Sequence, residues 1–221
     1  MFTGIVEEVG TIRHIESRAD YQRTTIEAKQ VLNGVKIGDS IAIEGACHTV
    51  VHFDANTFVI ESIAETLQRT TLGDYRVGNR VNLERSLKLG DRLDGHLVAA
   101  HIDGVGRVKD RTESSDQIVF EFEVPSDLAP YIAEKGSVTV NGISLTVISV
   151  TDRTFSIAAI PHTLKVTTLS EKYPGDEVNI EVDMIARYLE RLLQLKSCYL
   201  PPEHSGDTLT EDRIRAMMSD Q

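Results

Sequence analysis

The chain repeats itself once, and this duplication limits the folds open to it more than any other feature of the sequence. GDSIAIEGACHTVV (38–51) aligns with KGSVTVNGISLTVI (135–148) at an offset of 97 residues. Three further pairs of blocks keep the same order in both halves. At an offset of 97, 65–72 aligns with 162–169 and 77–84 with 174–181; at an offset of 96, 5–12 aligns with 101–108. Such regular order and spacing indicate two homologous domains, which we place at 1–95 and 96–183.

Each half of the chain is predicted to be all-β. The β-rich runs 40–43 and 137–140 end in Glu44-Gly45 and Asn141-Gly142, and Asn-Gly is a strong signal for a tight hairpin turn. The runs 81–84 and 178–181 alternate with a period of two, as half-buried strands do. Several short strands in so few residues favour a small closed Greek-key barrel in each half. A two-sheet sandwich is the alternative on pattern alone.

The pattern changes after Asp183. Ile185, Leu189 and Leu192-Leu193 recur at helical spacing, and Pro201-Pro202 forbid continuation. We therefore predict a helix at 184–197 that Asp183 caps and whose apolar face packs either on a barrel or on the same helix of other subunits. The remaining tail, 198–221, is polar, and its Thr208 and Glu211 have the capping-box spacing that allows a short helix.

Composition excludes several classes of protein. The net charge of -11 disfavours a nucleic-acid partner, since binding there depends on neutralising phosphates. No run of 18 apolar residues exists and the start, MFTGIVEEVG, lacks the features of a secretory signal, so we expect no membrane association. Two cysteines, Cys47 and Cys198, fit a reduced cytoplasm. Without Trp and with six Phe, the core is expected to consist of Val, Ile and Leu.

Several residues could carry chemistry. Cys47 has Ser144 as its repeat partner, so two otherwise equivalent sites differ chemically, although a free cysteine is often only a small buried apolar residue. His96 and His101 lie close together at the junction of the halves, and histidine titrates near neutral pH. His48 and His52 are predicted to share a strand face, but no cysteine or carboxylate cluster joins them, so we predict no metal site. Hydroxyls recur in both halves, where they bond either the backbone or a ligand: Ser40 and Ser137, Thr49 and Thr146, Thr66 and Thr163.

The sequence also resembles a known family. MFTGIV, EGACHTVV, ETLQRTTLGD, GHLVAAHIDG, NGISLTV and the helix after VNIEVD together are similar to riboflavin synthases, from Met1 to about Lys196. The resemblance implies two six-stranded barrels and a homotrimer held by the C-terminal helix. It implies that 6,7-dimethyl-8-ribityllumazine is the substrate, that four carbons pass from one lumazine to another, and that riboflavin is a product. It implies no cofactor, and it allows association with lumazine synthase.

The resemblance also implies site residues. Catalytic roles fall to His101, Cys47, His96 and Ser40, with His101 as the base that removes a proton from the lumazine methyl group. Phe2 matches the family's N-terminal aromatic residue and is expected either to pack over a heterocycle or to pack within the barrel. The substrate-binding positions carried over are Gly4, Ile5, Val6, Cys47, His48, Thr49, Glu61, Ser62, Ile63, Ala64, Glu65, Thr66, Ala100, His101, Ile102, Lys135, Ser144, Leu145, Thr146, Ala158, Ala159, Ile160, Pro161, His162 and Thr163.

This sequence departs from the family's usual pattern at a few of these positions. His48 replaces Leu, Asp94 stands where Gly often precedes Gly-His, Ala99-Ala100 replaces Ser-Gly, and His162 stands where the repeat predicts Glu. A methyl at Ala100 is expected to narrow the pocket if the backbone approaches the ligand there.

Three other functions compete with the enzyme. A non-catalytic paralogue of this fold would bind lumazine or flavin as an optical antenna, but the retained His96, His101, Cys47, Ser144 and Thr146 favour catalysis. A flavin reductase would need a nicotinamide-binding domain, and no glycine fingerprint follows either half. An oligonucleotide-binding barrel is disfavoured by the net charge.

Overall fold

The computed structural model describes residues 1–18 and 21–198. It contains twelve strands in two closed barrels, with the strand order β1-β2-β5-β4-β3-β6 in the first and the equivalent order β7-β8-β11-β10-β9-β12 in the second. The predicted pair of six-stranded barrels is therefore confirmed, and the sandwich alternative is wrong. The predicted helix near Thr208 lies outside the described residues.

Strands β1 to β6 form the first barrel: Glu8–Ser17, Tyr21–Glu27, Ser40–Ile43, Ala46–Phe53, Thr57–Ile63 and Arg80–Arg85. Strands β7 to β12 form the second: Gly104–Glu113, Ile118–Glu123, Ser137–Val140, Ile143–Val150, Thr154–Ala159 and Glu177–Val182. The helices are α1 (Ala64–Arg69), α2 (Pro161–Val166) and α3 (Met184–Cys198), and short 3₁₀ helices lie at Thr71–Asp74, Ala129–Tyr131 and Thr168–Glu171. Both barrels belong to one compact unit, Met1–Ala186.

The two barrels fill their interiors differently. The first buries mainly Val, Ile and Leu side chains, with Phe58 among them. The second adds a group of three phenylalanines, in which the ring centroids of Phe120 and Phe122 lie 5.8 Å apart and those of Phe122 and Phe155 lie 5.3 Å apart. The expectation of an aliphatic core therefore describes the first barrel better than the second.

The turns after β3 and β9 meet at the contact between the barrels. Glu44 and Asn141 both have φ 48°, and Gly45 and Gly142 follow with φ 82° and 78°, as a tight hairpin turn with two left-handed residues requires. A Cβ atom on Gly45 would lie 2.7 Å from the backbone nitrogen of Gly142, so glycine permits this close approach. The predicted turns are confirmed.

Buried asparagines hold the barrels together in a two-fold pattern. The side-chain oxygen of Asn82 accepts a hydrogen bond from the Thr168 N–H, and that of Asn179 accepts one from the Thr71 N–H, both at 2.8 Å. The amide groups of Asn82 and Asn179 donate to the carbonyls of Asn141 and Glu44 respectively, both at 2.9 Å. Asn82 is 2% exposed and Glu84 is 6% exposed, so the prediction that 81–84 is half-buried is wrong: its polar face is covered by protein.

A β-bulge corrects a second prediction. The pairing of β4 with β5 shifts register between Val50 and His52, because an extra residue in β4 turns the strand. His48 therefore lies inside the barrel and His52 is exposed, so the two histidines do not share a face.

Helix α3 begins as expected. The Ile185 N–H donates to the Asp183 carboxylate at 2.9 Å, which is the predicted cap. Its apolar side chains are exposed, including Tyr188 at 68% and Leu193 at 64%. None of the helices in the described part of the chain has the length and apolar character needed to span a bilayer.

Candidate active site

The barrels exchange their leading segments. We call residues 1–7 the first strap and residues 97–103 the second strap; they occupy equivalent positions in the repeat. The straps pair with each other, since Phe2 and Val98 form an antiparallel bridge with N–H to carbonyl distances of 2.8 and 3.1 Å. Gly4 and Val6 of the first strap, and Ala100 of the second, contact the barrel that their strap does not lead into.

Two equivalent backbone hydrogen bonds fix this exchange. In the first strap, the Gly4 carbonyl accepts from the Ser144 N–H of the second barrel at 2.8 Å. In the second strap, the Ala100 carbonyl accepts from the Cys47 N–H of the first barrel at 2.9 Å. Val6 also packs against the core of the second barrel. Each barrel surface that was predicted to bind substrate is thus bordered by the strap of the other barrel.

The first surface lies on the outer face of β4. Cys47 is half-buried and Thr49 is exposed, and Thr49 pairs with Ser40 on β3. Strand β5 runs beside β4 and ends at Ile63, where α1 begins, so residues 61–66 lie at the same end of the barrel. The exposed His101 comes directly after the Ala100 carbonyl that holds the second strap to β4.

The second surface repeats this arrangement on β10. Ser144 is half-buried and Thr146 is exposed, and Thr146 pairs with Ser137 on β9. Strand β11 ends at Ala159 and leads into α2, so residues 158–163 take the place of 61–66. Ile5 of the first strap is the residue equivalent to His101 of the second strap. The two surfaces are therefore alike in backbone and different in side chains.

Lys135 has an unusual backbone conformation at the edge of the second surface. Its φ is 63°, and its N–H donates to the Val147 carbonyl at 2.9 Å. The equivalent residue in the first barrel is Gly38, with φ 96° and the same bond to Val50. A side chain in this left-handed region costs of the order of 1 kcal/mol relative to glycine.

His96 is fully engaged. Its Nδ1 lies 2.7 Å from the Ser144 hydroxyl and its Nε2 lies 3.2 Å from the Thr139 hydroxyl. Burial lowers the pKa of His96 and favours the neutral ring, although the Asp183 charge opposes this. His96 therefore orients the Ser144 hydroxyl, whereas the side chain of His101 is exposed and accessible.

Besides Ala100, five of the predicted binding residues have their side chains in the interior of the protein: Phe2, His48, Ser62, Leu145 and Ala159. His48 points into the first barrel, where its Nδ1–H donates to the Ala46 carbonyl at 2.8 Å. Its Nε2 lies 2.9 Å from the hydroxyl of Ser62, which is also buried. Leu145 belongs to the core of the second barrel. Phe2 is 1% exposed and packs with Val98, so its ring is not available to cover a heterocycle.

Ala100 does not narrow the site in the way expected. It is 2% exposed, and it belongs to a small buried apolar cluster with Ala42. Its φ of 60° matches the 76° of Gly4, so the second strap keeps the glycine-like backbone although it carries a methyl group. The described residues contain no group of three or more metal-ligating side chains.

Sequence reasoning missed the residues that hold the straps and the barrel contact. The sequence pattern predicted only that these four residues, Asn82, Glu84, Asn179 and Glu181, belong to two half-buried strands. The signal was present, because a polar residue occupies the same place in both repeats, in VNLE and VNIE. Polar side chains that recur in a duplicated strand are candidates for a shared buried contact.

Two barrels with exchanged straps and paired surfaces define a tandem-repeat protein with two equivalent candidate ligand sites. A family model described as the lumazine binding domain matches residues 3–86 and again 99–183. The chain therefore belongs to the lumazine-binding family of riboflavin synthases. It is 42% identical to the riboflavin synthase of Actinobacillus pleuropneumoniae over 97% of this chain and 98% of that one. It is 45% identical to that of Mycobacterium bovis over 88% of this chain and 98% of the relative.

Solved structures show the same fold with ligands. LumP in complex with riboflavin matches 83% of this chain and all of its own, with a TM-score of 0.78 and 29% identity. LumP in complex with 6,7-dimethyl-8-(1'-D-ribityl) lumazine matches the same share of this chain with a TM-score of 0.75 and 27% identity.

Proposed function

We propose that the protein is a riboflavin synthase. It converts two molecules of 6,7-dimethyl-8-ribityllumazine into riboflavin and 5-amino-6-ribitylaminouracil by transfer of a four-carbon unit. The observation that carries this proposal is the pair of equivalent surfaces, because the reaction consumes two copies of one molecule. Curated relatives named riboflavin synthase, at 42% and 45% identity, favour the enzyme over a non-catalytic antenna.

Each surface takes one lumazine. The first site comprises Ser40, Cys47, Thr49, residues 61–66 and the second strap. The second site comprises Lys135, Ser144, Thr146, residues 158–163 and the first strap. Hydroxyls and exposed backbone at these places suit the uracil-like edge and the ribityl chain, which are rich in hydrogen-bonding groups. At His48, Ser62 and Leu145 the contribution to binding comes from the backbone, since their side chains are buried.

The residues then divide the chemistry between them. His101 is exposed at the edge of the first site and removes the methyl proton of the donor or acceptor as a general base. His96 acts through the Ser144 hydroxyl that it orients. Holding two reactants face to face replaces a bimolecular encounter, for which effective molarities reach ~10⁵ M or more. Cys47 opposite Ser144 lets the two bound lumazines take different roles.

Lys135 gives independent support for the second site. Its strained backbone persists where the repeat shows that glycine is the easier choice. Strain of this kind is concentrated at functional positions, where a particular side chain is needed. An ammonium group here can donate to the oxygens of a bound lumazine.

Direct assay tests the function. Purified protein is incubated with 6,7-dimethyl-8-ribityllumazine, and riboflavin is followed by its absorbance and by chromatography. We expect riboflavin and the diaminouracil product in equal amounts. A stoichiometric bound chromophore without turnover would contradict the enzyme and support the antenna.

The apolar face of α3 supports an oligomer. Ile185, Leu189 and Leu192 are each more than half exposed, so they are free to pack against copies of the same helix. We propose a homotrimer in which this helix is the contact, with the two lumazines meeting between barrels of different subunits. A chain ending at Asp183 should sediment as a smaller species, and a persistent trimer would exclude the helix as the contact.

We also propose a cytoplasmic location, in which the free Cys47 thiol stays reduced. Association with lumazine synthase is a further proposal, which co-sedimentation of the two purified proteins would test.

A further inference from the structure

Two buried carboxylates hold the straps at their bases. Glu84, at the end of β6, accepts three hydrogen bonds from the first strap: the Thr3 N–H at 2.7 Å, the Thr3 hydroxyl at 2.7 Å and the Gly4 N–H at 3.0 Å. Glu181 stands at the same place in β12 and accepts the Ala99 N–H of the second strap at 2.8 Å. Both glutamates are buried, with 6% and 3% of their surfaces exposed.

These contacts lead from one barrel to the surface of the other. Glu84 belongs to the first barrel and accepts a hydrogen bond from the Gly4 N–H. The Gly4 carbonyl in turn accepts one from the Ser144 N–H of the second barrel. Glu181 belongs to the second barrel and accepts a hydrogen bond from the Ala99 N–H. The carbonyl of the next residue, Ala100, accepts one from the Cys47 N–H of the first barrel. One strap residue, Gly4, therefore links Glu84 to the opposite site, and two, Ala99 and Ala100, link Glu181 to the opposite site.

The fit at the first strap leaves little room for movement. Gly4 has φ 76°, and a Cβ atom there would lie 2.6 Å from the Cβ of Ser144. The Gly4 backbone can lie this close to Ser144 only because residue 4 has no side chain. Bonds to an ionised acceptor are about twice as strong as neutral ones, and two oxygens fix both distance and direction.

A purely stabilising role would not require carboxylates. Burying a charged group carries a desolvation cost, and well-packed apolar side chains often stabilise a core equally well. Burial raises the pKa of Glu84, and the hydrogen bonds from Thr3 and Gly4 act in the opposite direction. Both repeats nevertheless keep glutamate at this place, which points to a need for orientation of the strap.

We propose that Glu84 and Glu181 are positioning residues that act crosswise, so that Glu84 shapes the ligand site of the second barrel and Glu181 shapes that of the first. This proposal rests on the two ligand sites assigned above. It predicts that each glutamate affects the site that is not on its own barrel.

The test measures riboflavin binding to each site separately, with the full chain. Thr49→Arg fills the first site and Thr146→Arg fills the second; both threonines are exposed on equivalent strands, so the two backgrounds are matched. Glu84→Gln replaces one carboxylate oxygen by an amide NH₂ group, which donates hydrogen bonds but does not accept them. Equilibrium dialysis then gives the number of sites and the dissociation constant in each background.

We expect opposite results from the two glutamates. Glu84→Gln should weaken riboflavin binding by about tenfold in the Thr49→Arg background, where the second site remains, and by less than twofold in the Thr146→Arg background. Glu181→Gln should show the reverse. A general loss of stability would lower binding in both backgrounds alike, and thermal unfolding of each variant measures that loss directly.

The outcomes separate this proposal from the assignment of the sites. If either arginine variant still binds two riboflavins per chain, the site assignment is wrong and the crosswise role fails with it. If each binds one, but Glu84→Gln weakens both sites equally or only the first, the crosswise role alone is overturned.

A milder variant covers the case in which Glu84→Gln does not fold. Thr3→Val removes the hydroxyl that donates to Glu84 and leaves the carboxylate intact. It should weaken the second site selectively, and Thr3→Ser should restore it. Ala99, the repeat partner of Thr3, has no hydroxyl, so Ala99→Val is the matched control and should leave the second site unchanged.

Discussion

The two barrels share a backbone and differ in what they place on it. Their strand orders, hairpin turns and bulges are equivalent, including the register shifts at Val50/His52 in β4 and at Val147/Ser149 in β10. The side chains diverge at the surface, in the core and at the contact between the barrels. The comparison shows that the turns and the backbone hydrogen bonds constrain the fold. Side chains at equivalent positions of the two barrels can differ and take separate roles.

The difference is sharpest where equivalent residues meet. At the barrel contact, the Glu44 carboxylate accepts the Asn82 N–H at 2.7 Å, and the Asn141 amide accepts the Asn179 N–H at 2.7 Å. The same bond is thus made by an acid in one half and by a neutral amide in the other. Burial raises the pKa of Glu44 to about 7, although the Asn82 hydrogen bond and the Lys172 charge act to lower it.

The largest expected effect concerns the straps. His101→Gln should lower kcat by about 10²-fold or more and change riboflavin binding little, because a base acts chiefly in the transition state. The matched control is Ile5→Gln at the equivalent position of the first strap, which should lower kcat by less than about tenfold. Steady-state kinetics decide this, and equal losses in the two variants would remove the distinction between the straps.

The next prediction concerns the difference between Glu44 and its repeat partner Asn141 at the barrel contact. A carboxyl whose pKa is raised on folding stabilises the protein below its unfolded pKa, and this contribution is lost as the pH rises through the folded value. Glu44 should therefore make the free energy of unfolding fall by about 3 kcal/mol between pH 4 and pH 8, taking its pKa as about 7. Glu44→Asn makes the two halves alike and should abolish this component.

Urea unfolding at several pH values measures this difference. Asn141→Gln lengthens the neutral amide without adding a titrating group, so it should keep the pH dependence of the unchanged chain. An identical pH dependence in Glu44→Asn would mean that Glu44 ionises in the folded state at the same pH as in the unfolded chain.

The smallest effect concerns the cores. The buried His48–Ser62 pair of the first barrel corresponds to Leu145 and Ala159 in the second. His48→Leu or Ser62→Ala alone should cost about 1–3 kcal/mol, because each leaves a buried polar group without its partner. The double variant reproduces the second barrel and should be close to neutral at pH 8. Urea unfolding measures all three, and additive losses would contradict the pairing.

The same pair has a pH signature of opposite sign to that of Glu44. Burial lowers the pKa of His48, so its contribution to stability is present above the unfolded pKa and is lost as the pH falls below it. The double variant should lose less stability on acidification below about pH 6.5 than the unchanged chain does.

Local patterns predicted much of this molecule. The repeat, the Glu44-Gly45 and Asn141-Gly142 turns and the Asp183 cap are encoded in neighbouring residues, and all were predicted from the sequence. The exchange of straps was not, because the Gly4–Ser144 bond joins distant parts of the chain. The bulge in β4 was also missed, since an extra residue between paired strands leaves no mark in a period-two pattern and therefore reversed the expected position of His52.

The site residues show the same limit. Cys47, Thr49, Ser144 and Thr146 were predicted to face a ligand, and strand alternation is enough to place them on the outer surface. Burial of Phe2 was one of two alternatives, and the sequence could not decide between them because the burial depends on the pairing of one strap with the other.

The exchanged straps also constrain the order of folding during synthesis. Gly4 of the first strap leaves the ribosome well before Ser144, the residue of the second barrel whose N–H donates to the Gly4 carbonyl. The first barrel can close its strands before then, while Thr3 and Glu84, 81 residues apart, can already meet. The first strap can therefore dock onto the second barrel only after that barrel has been made. Contacts of such long sequence separation form slowly, so a nascent chain released before Ser144 would hold its first strap through Glu84 and lack the Gly4–Ser144 hydrogen bond.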